Sequence, residues 1–127
     1  LNTFTYSPVL PEEISIILPT VIPEKAVCDQ AYLSQKNPFA WDEAETFASG
    51  KTTYDQVCAA CHAVDGSGAL PGVTDLSIAE IQSALRTNSG EFLCIVAEGK
   101  GTMPGWKNTL SLDQIWQVLT FIANLKQ

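Results

Sequence analysis

The chain has 127 residues, 46% of them hydrophobic and 17% charged, enough for one globular domain with one core and too few for two comfortable ones. Its formal net charge of −7 excludes the basic footprint of a nucleic-acid binder. No apolar run is long enough to cross a bilayer; the best, "ISIIL", is cut short by Pro19.

In chain order, the first segment reads as an extended, Pro-rich arm. The chain opens at Leu1 rather than at a methionine, and the expectation is a processed form whose export signal or anchor is gone. Pro8, Pro11, Pro19, Pro23 and Pro38 leave no helical period over residues 1 to 40. Within it, "EEISIILPTVIPEK" presents Ile14, Ile16, Ile17, Leu18, Val21 and Ile22, which must bury against the chain's own core or a partner. From Asp42 the pattern changes. Asp42 with Glu45 reads as a capping box opening a helix to about Cys58. Ser77 with Glu80 opens a second, with Ile78, Ile81 and Leu85 on one face. A third covers about Glu91 to Glu98 and ends at Gly99. The last, opened by Ser111 with Gln114, carries a wide apolar stripe from Leu112 to Leu125. No strand alternation follows residue 42, so the class is all-α.

The chemistry concentrates in "QVCAACHAVDG", residues 56 to 66, which holds the chain's one histidine. A structural zinc site wants four ligands, commonly two close pairs, and the other cysteines, Cys28 and Cys94, stand alone. A thioredoxin-type pair opens a helix, where the N-terminus lowers the thiol pKa; this pair closes one. Covalent haem attachment is the third meaning of C-x-x-C-H, and it fits best. Cys58 and Cys61, at i and i+3, share a helix face and so reach the two vinyl groups of one porphyrin, while His62 turns its ring to the iron. A sixth ligand is then needed. The single methionine, Met103, lies in "GKGTMPGW", a Gly-rich loop where Pro104 favours an extended backbone, rather than on a core stripe. His62/Met103 ligation is the expectation.

The order of a helix, "CAACH", a Gly-turn with Pro71 and Leu76, two helices, "GTMPGW" and an aromatic C-terminal helix resembles the class I c-type cytochromes, the small bacterial or photosynthetic kind. The resemblance covers residues 42 to 127. It implies a cytochrome c fold of four to five helices around one covalently attached haem c, with residues 1 to 41 as an atypical extension. It implies that Gly50 and Tyr54 on the first helix pack against Phe121 on the last. The family's proline carbonyl, which holds the second nitrogen of the haem histidine, maps onto Pro71. The resemblance further implies that Leu76, Pro104 and Trp106 complete the haem pocket. By the same resemblance electrons leave at an exposed haem edge beside Ala59, Ala60, Val64, Pro104 and Trp106, with Lys100 and Lys107 flanking Met103.

Cys28 and Cys94 lie outside the family pattern. Cys94 shares the polar side of its helix with Glu91 and Glu98, where a free thiol is a liability in an oxidising compartment. A disulfide to Cys28, pinning the arm across that helix, is favoured over a free thiol or an intermolecular bond. It is worth about 4 kcal/mol by chain entropy. Bridge and haem thiols both suit an extracytoplasmic location, such as a periplasm or thylakoid lumen. The expected function is one-electron transfer between redox protein partners rather than enzymatic turnover. The protein serves as a diffusible carrier or as a subunit held to a larger complex through residues 1 to 40. The alternative is a haem-based sensor or weak peroxidase with a labile Met103.

Overall fold

A computed structural model describes residues 28–125; the apolar stretch of the arm between residues 14 and 22 lies outside them. Among the described residues there are six helices and no strand. They are α1 (Gln30–Leu33), α2 (Ala44–Val57), α3 (Ala59–His62), α4 (Ala79–Thr87), α5 (Ser89–Glu98) and α6 (Leu112–Ala123). The four longer ones are those the periodicity implies; α1 and α3 are single turns that no periodicity reveals.

The centre is α6. Its stripe is so wide that Ile115, Trp116 and every residue from Val118 to Ala123 are buried. It begins at a true capping box, with Ser111 Oγ accepting from Gln114 N–H at 3.1 Å and Gln114 Oε1 accepting from Ser111 N–H at 2.8 Å. The other two expected boxes do not form. The N-cap of α2 is Glu43, not Asp42, and makes no side-chain cap; its Oε1 accepts from Thr46 Oγ1 instead. At α4 the cap falls on Ile78, while Ser77 gives both its N–H and its hydroxyl to Asp75 Oδ1. Both helices stand on packing rather than on caps.

The most extensive helix contact is α2 on α6. Gly50 permits it: a Cβ there would sit 2.0 Å from the carbonyl oxygen of Gln117. With the backbones this close, Phe121 inserts between Phe47 and Tyr54, its ring centroid 5.0 Å from each. α4 closes the end of α6, where Arg86 Nη1 donates to Ala123 O at 2.9 Å and Gln82 Nε2 to Leu125 O. These bonds satisfy carbonyls that the helix end leaves open.

Residues 28–41 are laid on this bundle. The turn α1 starts at Asp29, whose carboxylate accepts from Ala31 N–H, and it crosses α5 at Gly90. A Cβ at Gly90 would lie 2.6 Å from Leu33 O and 2.7 Å from Tyr32 O. Further on, Asn37 Nδ2 donates to Thr120 Oγ1, Asn124 Nδ2 donates to Trp41 O, and the Arg86 guanidinium lies 5.9 Å from the Trp41 ring centroid. Tyr32, Phe39 and Trp41 are each partly buried against the core. At about 25 cal/mol per Å² of apolar surface, three half-covered rings contribute a few kcal/mol.

Candidate haem site

α2 hands directly to α3. Cys58 is the C-cap of the first and the N-cap of the second; its N–H donates to Tyr54 O at 2.8 Å, and its carbonyl accepts from His62 N–H at 3.0 Å. Cys58, Cys61 and His62 therefore occupy one turn, at the joint between the helices rather than in the final turn of the first. Both thiols are free, Cys58 half-buried and Cys61 exposed. Burial, with a smaller push from Cys61, raises the Cys58 thiol to about 11. That is the reverse of a thioredoxin-type cysteine, whose thiolate is stabilised.

Beyond His62 the chain turns sharply. Ala63 has φ 70° and ψ 157°, a conformation close to glycine's exclusive territory, and it is the one non-glycine residue with positive φ among those described. Tyr54, fully buried, donates its hydroxyl to Ala63 O at 2.6 Å and so pins this corner to α2. The same burial raises the phenol's pKa. Gly68 N–H bonds back to His62 O, Ala69 N–H to Cys61 O, and Leu76 N–H to Gly66 O. Asp65 accepts from both the N–H and the hydroxyl of Ser67, which lowers its pKa. The expected Asp65 to Gly68 turn is thus present and internally bonded.

The carbonyl facing His62 is not that of Pro71. His62 Nδ1 stands 3.4 Å, a long hydrogen bond, from Thr74 O, while Pro71 is exposed on the preceding turn. Between Pro71 and Thr74 the chain passes through Gly72, at φ 83°. A bond from Nδ1–H to a carbonyl fixes the tautomer that leaves the Nε2 lone pair for a metal.

Met103 sits on a loop that closes on the end of α5. Lys100 and Met103 exchange backbone hydrogen bonds at 3.0 and 2.9 Å. This is the extended conformation that Pro104 favours. Trp106 N–H then donates to Val96 O and Lys107 N–H to Ala97 O, returning the chain to the helix it left. The approach is tight: a Cβ at Gly99 would lie 2.6 Å from Met103 O, and one at Gly105 2.6 Å from Ala97 O. Met103 and Trp106 are partly buried on the core that also receives Cys58, Ala59 and Leu76, so both loops rest on one apolar centre. Pro104 is exposed, as are Ala60 and Val64, the latter at 72%.

Cys28 and Cys94 are joined, S–S 2.09 Å and Cα–Cα 5.9 Å. Cys94 is not on an open face, however: the arm covers it to 5% exposure. Beside it Glu98 accepts from Tyr32 Oη at 2.5 Å and pairs with Lys107 Nζ at 3.0 Å. Lys107 is therefore neutralised rather than a bare positive charge near Met103. Thr74 was not singled out by the sequence, and Tyr54 and Glu98 were named there only for packing against Phe121 and for the polar side of their helix. Only Tyr54 carries a local signal for a role of this kind, one helical turn before Cys58.

The donor set fits a haem. One pair of cysteines is consumed by the bridge, the other stays free beside the single histidine, and no group of three or more His, Cys, Asp or Glu among the described residues could hold a metal ion. Residues 45–122 match the family model described as cytochrome c oxidase, cbb3-type, subunit III. Cytochrome c6 of Tetradesmus obliquus is 36% identical over 77 residues, 59% of this chain and 85% of that protein. Cytochrome c6 of Leptolyngbya boryana is 37% identical over 81 residues, 61% of this chain and 89% of that one. The cbb3-type cytochrome c oxidase subunit CcoP of Azospirillum sp. (strain B510) is 33% identical over 88 residues, 65% of this chain but 30% of that longer protein. Among solved structures, cytochrome cL of the marine methylotroph Methylophaga aminisulfidivorans superposes with a TM-score of 0.61 at 16% identity, covering 84% of this chain and 72% of that one. At that identity the likeness shows the fold alone, and the fold is that of a cytochrome c.

Proposed function

The chain belongs to the class I c-type cytochromes, through the cbb3-type subunit III domain at residues 45–122, and we propose that it passes single electrons between redox proteins with one haem c held by Cys58, Cys61, His62 and Met103. Haem-based electron transfer is the property of the family; the ligands and the attachment are this reading's own. The observation that carries it is the joint between α2 and α3, where two free thiols and the chain's one histidine occupy a single turn.

The bound group supplies a one-electron redox centre whose potential a methionine ligand raises. The rest falls to the chain. Cys58 and Cys61 provide two sulfurs one turn apart. His62 provides Nε2, with its ring steadied by Thr74 O, the role first given to Pro71. Met103 provides a thioether from a loop whose backbone is closed on α5. If His62 and Met103 hold a bound haem, they would leave no position for a substrate, which fits an electron-transfer protein rather than an enzyme in its own right. Leu76 and Trp106, partly buried on the core, would cover a bound haem from that side, and the exposed Val64, Ala60 and Pro104 would border its rim.

The cytochrome works outside the cytoplasm, where a bridge such as Cys28–Cys94 persists. The haem-binding part is residues 42 to 127, with residues 28–41 laid on it. Docking to a larger complex is assigned to residues 1–40, of which 1–27 lie outside the described region.

The test is intact mass under denaturing conditions together with spectra. One haem should remain on the polypeptide and be lost from it in Cys58→Ala/Cys61→Ala; complete extraction by acidified organic solvent would refute attachment. The oxidised protein should show the near-infrared sulfur-to-iron band, absent from Met103→Ala. An unchanged band in that variant would give the axial role to another group.

A further inference from the structure

We infer that Glu98 is a positioning residue for Met103: its carboxylate ties together the two ends of the Met103 loop and fastens that tie to the disulfide-anchored arm. This rests on the reading of Met103 as axial ligand.

Glu98 is the last residue of α5, so the loop leaves from it. Nine residues on, Lys107 returns and places its Nζ 3.0 and 3.1 Å from the two carboxylate oxygens of Glu98. Backbone bonds from Trp106 to Val96 and from Lys107 to Ala97 close the same loop base. A loop whose ends are already joined has less freedom to swing its middle residue away. Met103 is that middle residue.

The carboxylate does a second thing. It accepts the Tyr32 hydroxyl from the arm. On α5, Cys94 and Glu98 are four residues apart and therefore on one face. On the arm, Cys28 and Tyr32 are also four residues apart. The two segments are thus cross-linked by two successive rungs, one a disulfide and the next the Tyr32–Glu98 hydrogen bond. An isolated ion pair as exposed as Glu98–Lys107 holds little by itself. Here the covalent rung pre-positions Tyr32, Tyr32 orients the carboxylate, and the carboxylate receives the returning lysine. The arm acts on the loop that bears the proposed ligand without touching Met103.

The experiment uses the holoprotein, reduced and mixed with carbon monoxide, which binds only when the axial thioether has moved away. Glu98→Gln should bind roughly fivefold faster than wild type, the size expected for losing one charge-assisted tie at a partly exposed site. Lys107→Gln and Tyr32→Phe should shift the rate the same way by less, and Lys107→Arg should restore the wild-type rate. Thermal unfolding of each variant, followed by circular dichroism, separates loop release from general destabilisation. A wild-type rate in Glu98→Gln overturns the proposal. So does an equal acceleration when Glu98→Gln is added to Met103→Ala, because the effect would then not run through Met103. If wild type itself binds as fast as Met103→Ala, the axial reading fails and takes this role with it. That result is distinct from the first two.

Discussion

The turn bearing His62 is pinned from inside the protein. A buried hydroxyl on α2 reaches Ala63 O, and the corner it holds is a non-glycine residue in a strained conformation. The loop bearing Met103 is held differently. Its positive-φ residues, Gly99 and Gly101, are both glycines, its ends are joined by backbone bonds to α5, and its side-chain tie lies at the surface. The first arrangement spends conformational strain on a fixed histidine. The second is nearly unstrained and depends on groups that solvent can reach. A loop of the second kind opens more readily than one of the first.

The sharpest way to break this comparison is at the base of the pinned side. Gly50→Ala places a methyl where only 2.0 Å separates it from Gln117 O, so α2 and α6 must part. We expect a loss of about 3 kcal/mol or more in denaturant unfolding, with the His62 turn and the whole core failing together. On the other loop, Gly99→Ala, at φ 88° and 2.6 Å from Met103 O, should cost about 2 kcal/mol and weaken the near-infrared band. Gly101→Ala, with positive φ but open space around it, should cost only about 1 kcal/mol. Equal effects at the two positions would contradict the close packing of the loop on α5.

A smaller effect has the opposite sign. Ala63→Gly relieves the corner after His62 and should stabilise the protein by about 1 kcal/mol in thermal unfolding. A destabilised variant would mean that the corner carries no strain.

The smallest effect is on pH. The Tyr32 hydrogen bond, then Lys107, holds the Glu98 carboxyl below its ordinary value of 4.5, and these are the two groups that face it. The stabilisation it brings is complete above that ordinary value and is lost as pH falls through the lowered one. Tyr32 mirrors this at the alkaline end: the Glu98 bond raises its pKa, so its contribution is full below pH 10 and lost as pH rises through the raised value. An acid titration of the near-infrared band should show a step below pH 4.5 in wild type that Glu98→Gln lacks.

How much of this could be read from the sequence depended on whether residue type or backbone carried the information. That Cys58, Cys61 and His62 fall together on one turn was legible because their spacing is local. The Ser111–Gln114 cap was legible because both partners of the box lie three residues apart in the sequence. Ser77 carried the same signature, but Asp75 two residues earlier takes its N–H and hydroxyl. Thr74 was missed because it contributes a carbonyl, which every residue has; only the path of the chain selects it over Pro71. The outer face assigned to Cys94 was a correct reading of the helix alone. A wheel does not show that the arm returns over Gly90 to cover it, nor that a single helical turn forms there among prolines.

The two cysteine pairs set a problem for biogenesis. Four thiols in one chain allow three pairings. In an unfolded chain Cys58 and Cys61 meet far more often than Cys28 and Cys94, which are 66 residues apart; loop closure alone separates them by about 3 kcal/mol. Yet the folded protein has the distant pair bonded and the adjacent pair free. Simple oxidation of the nascent chain would favour the reverse. Reaching this state therefore runs against the statistical order of thiol encounters: the short pair has to stay reduced while the long pair closes once α1 has settled on α5.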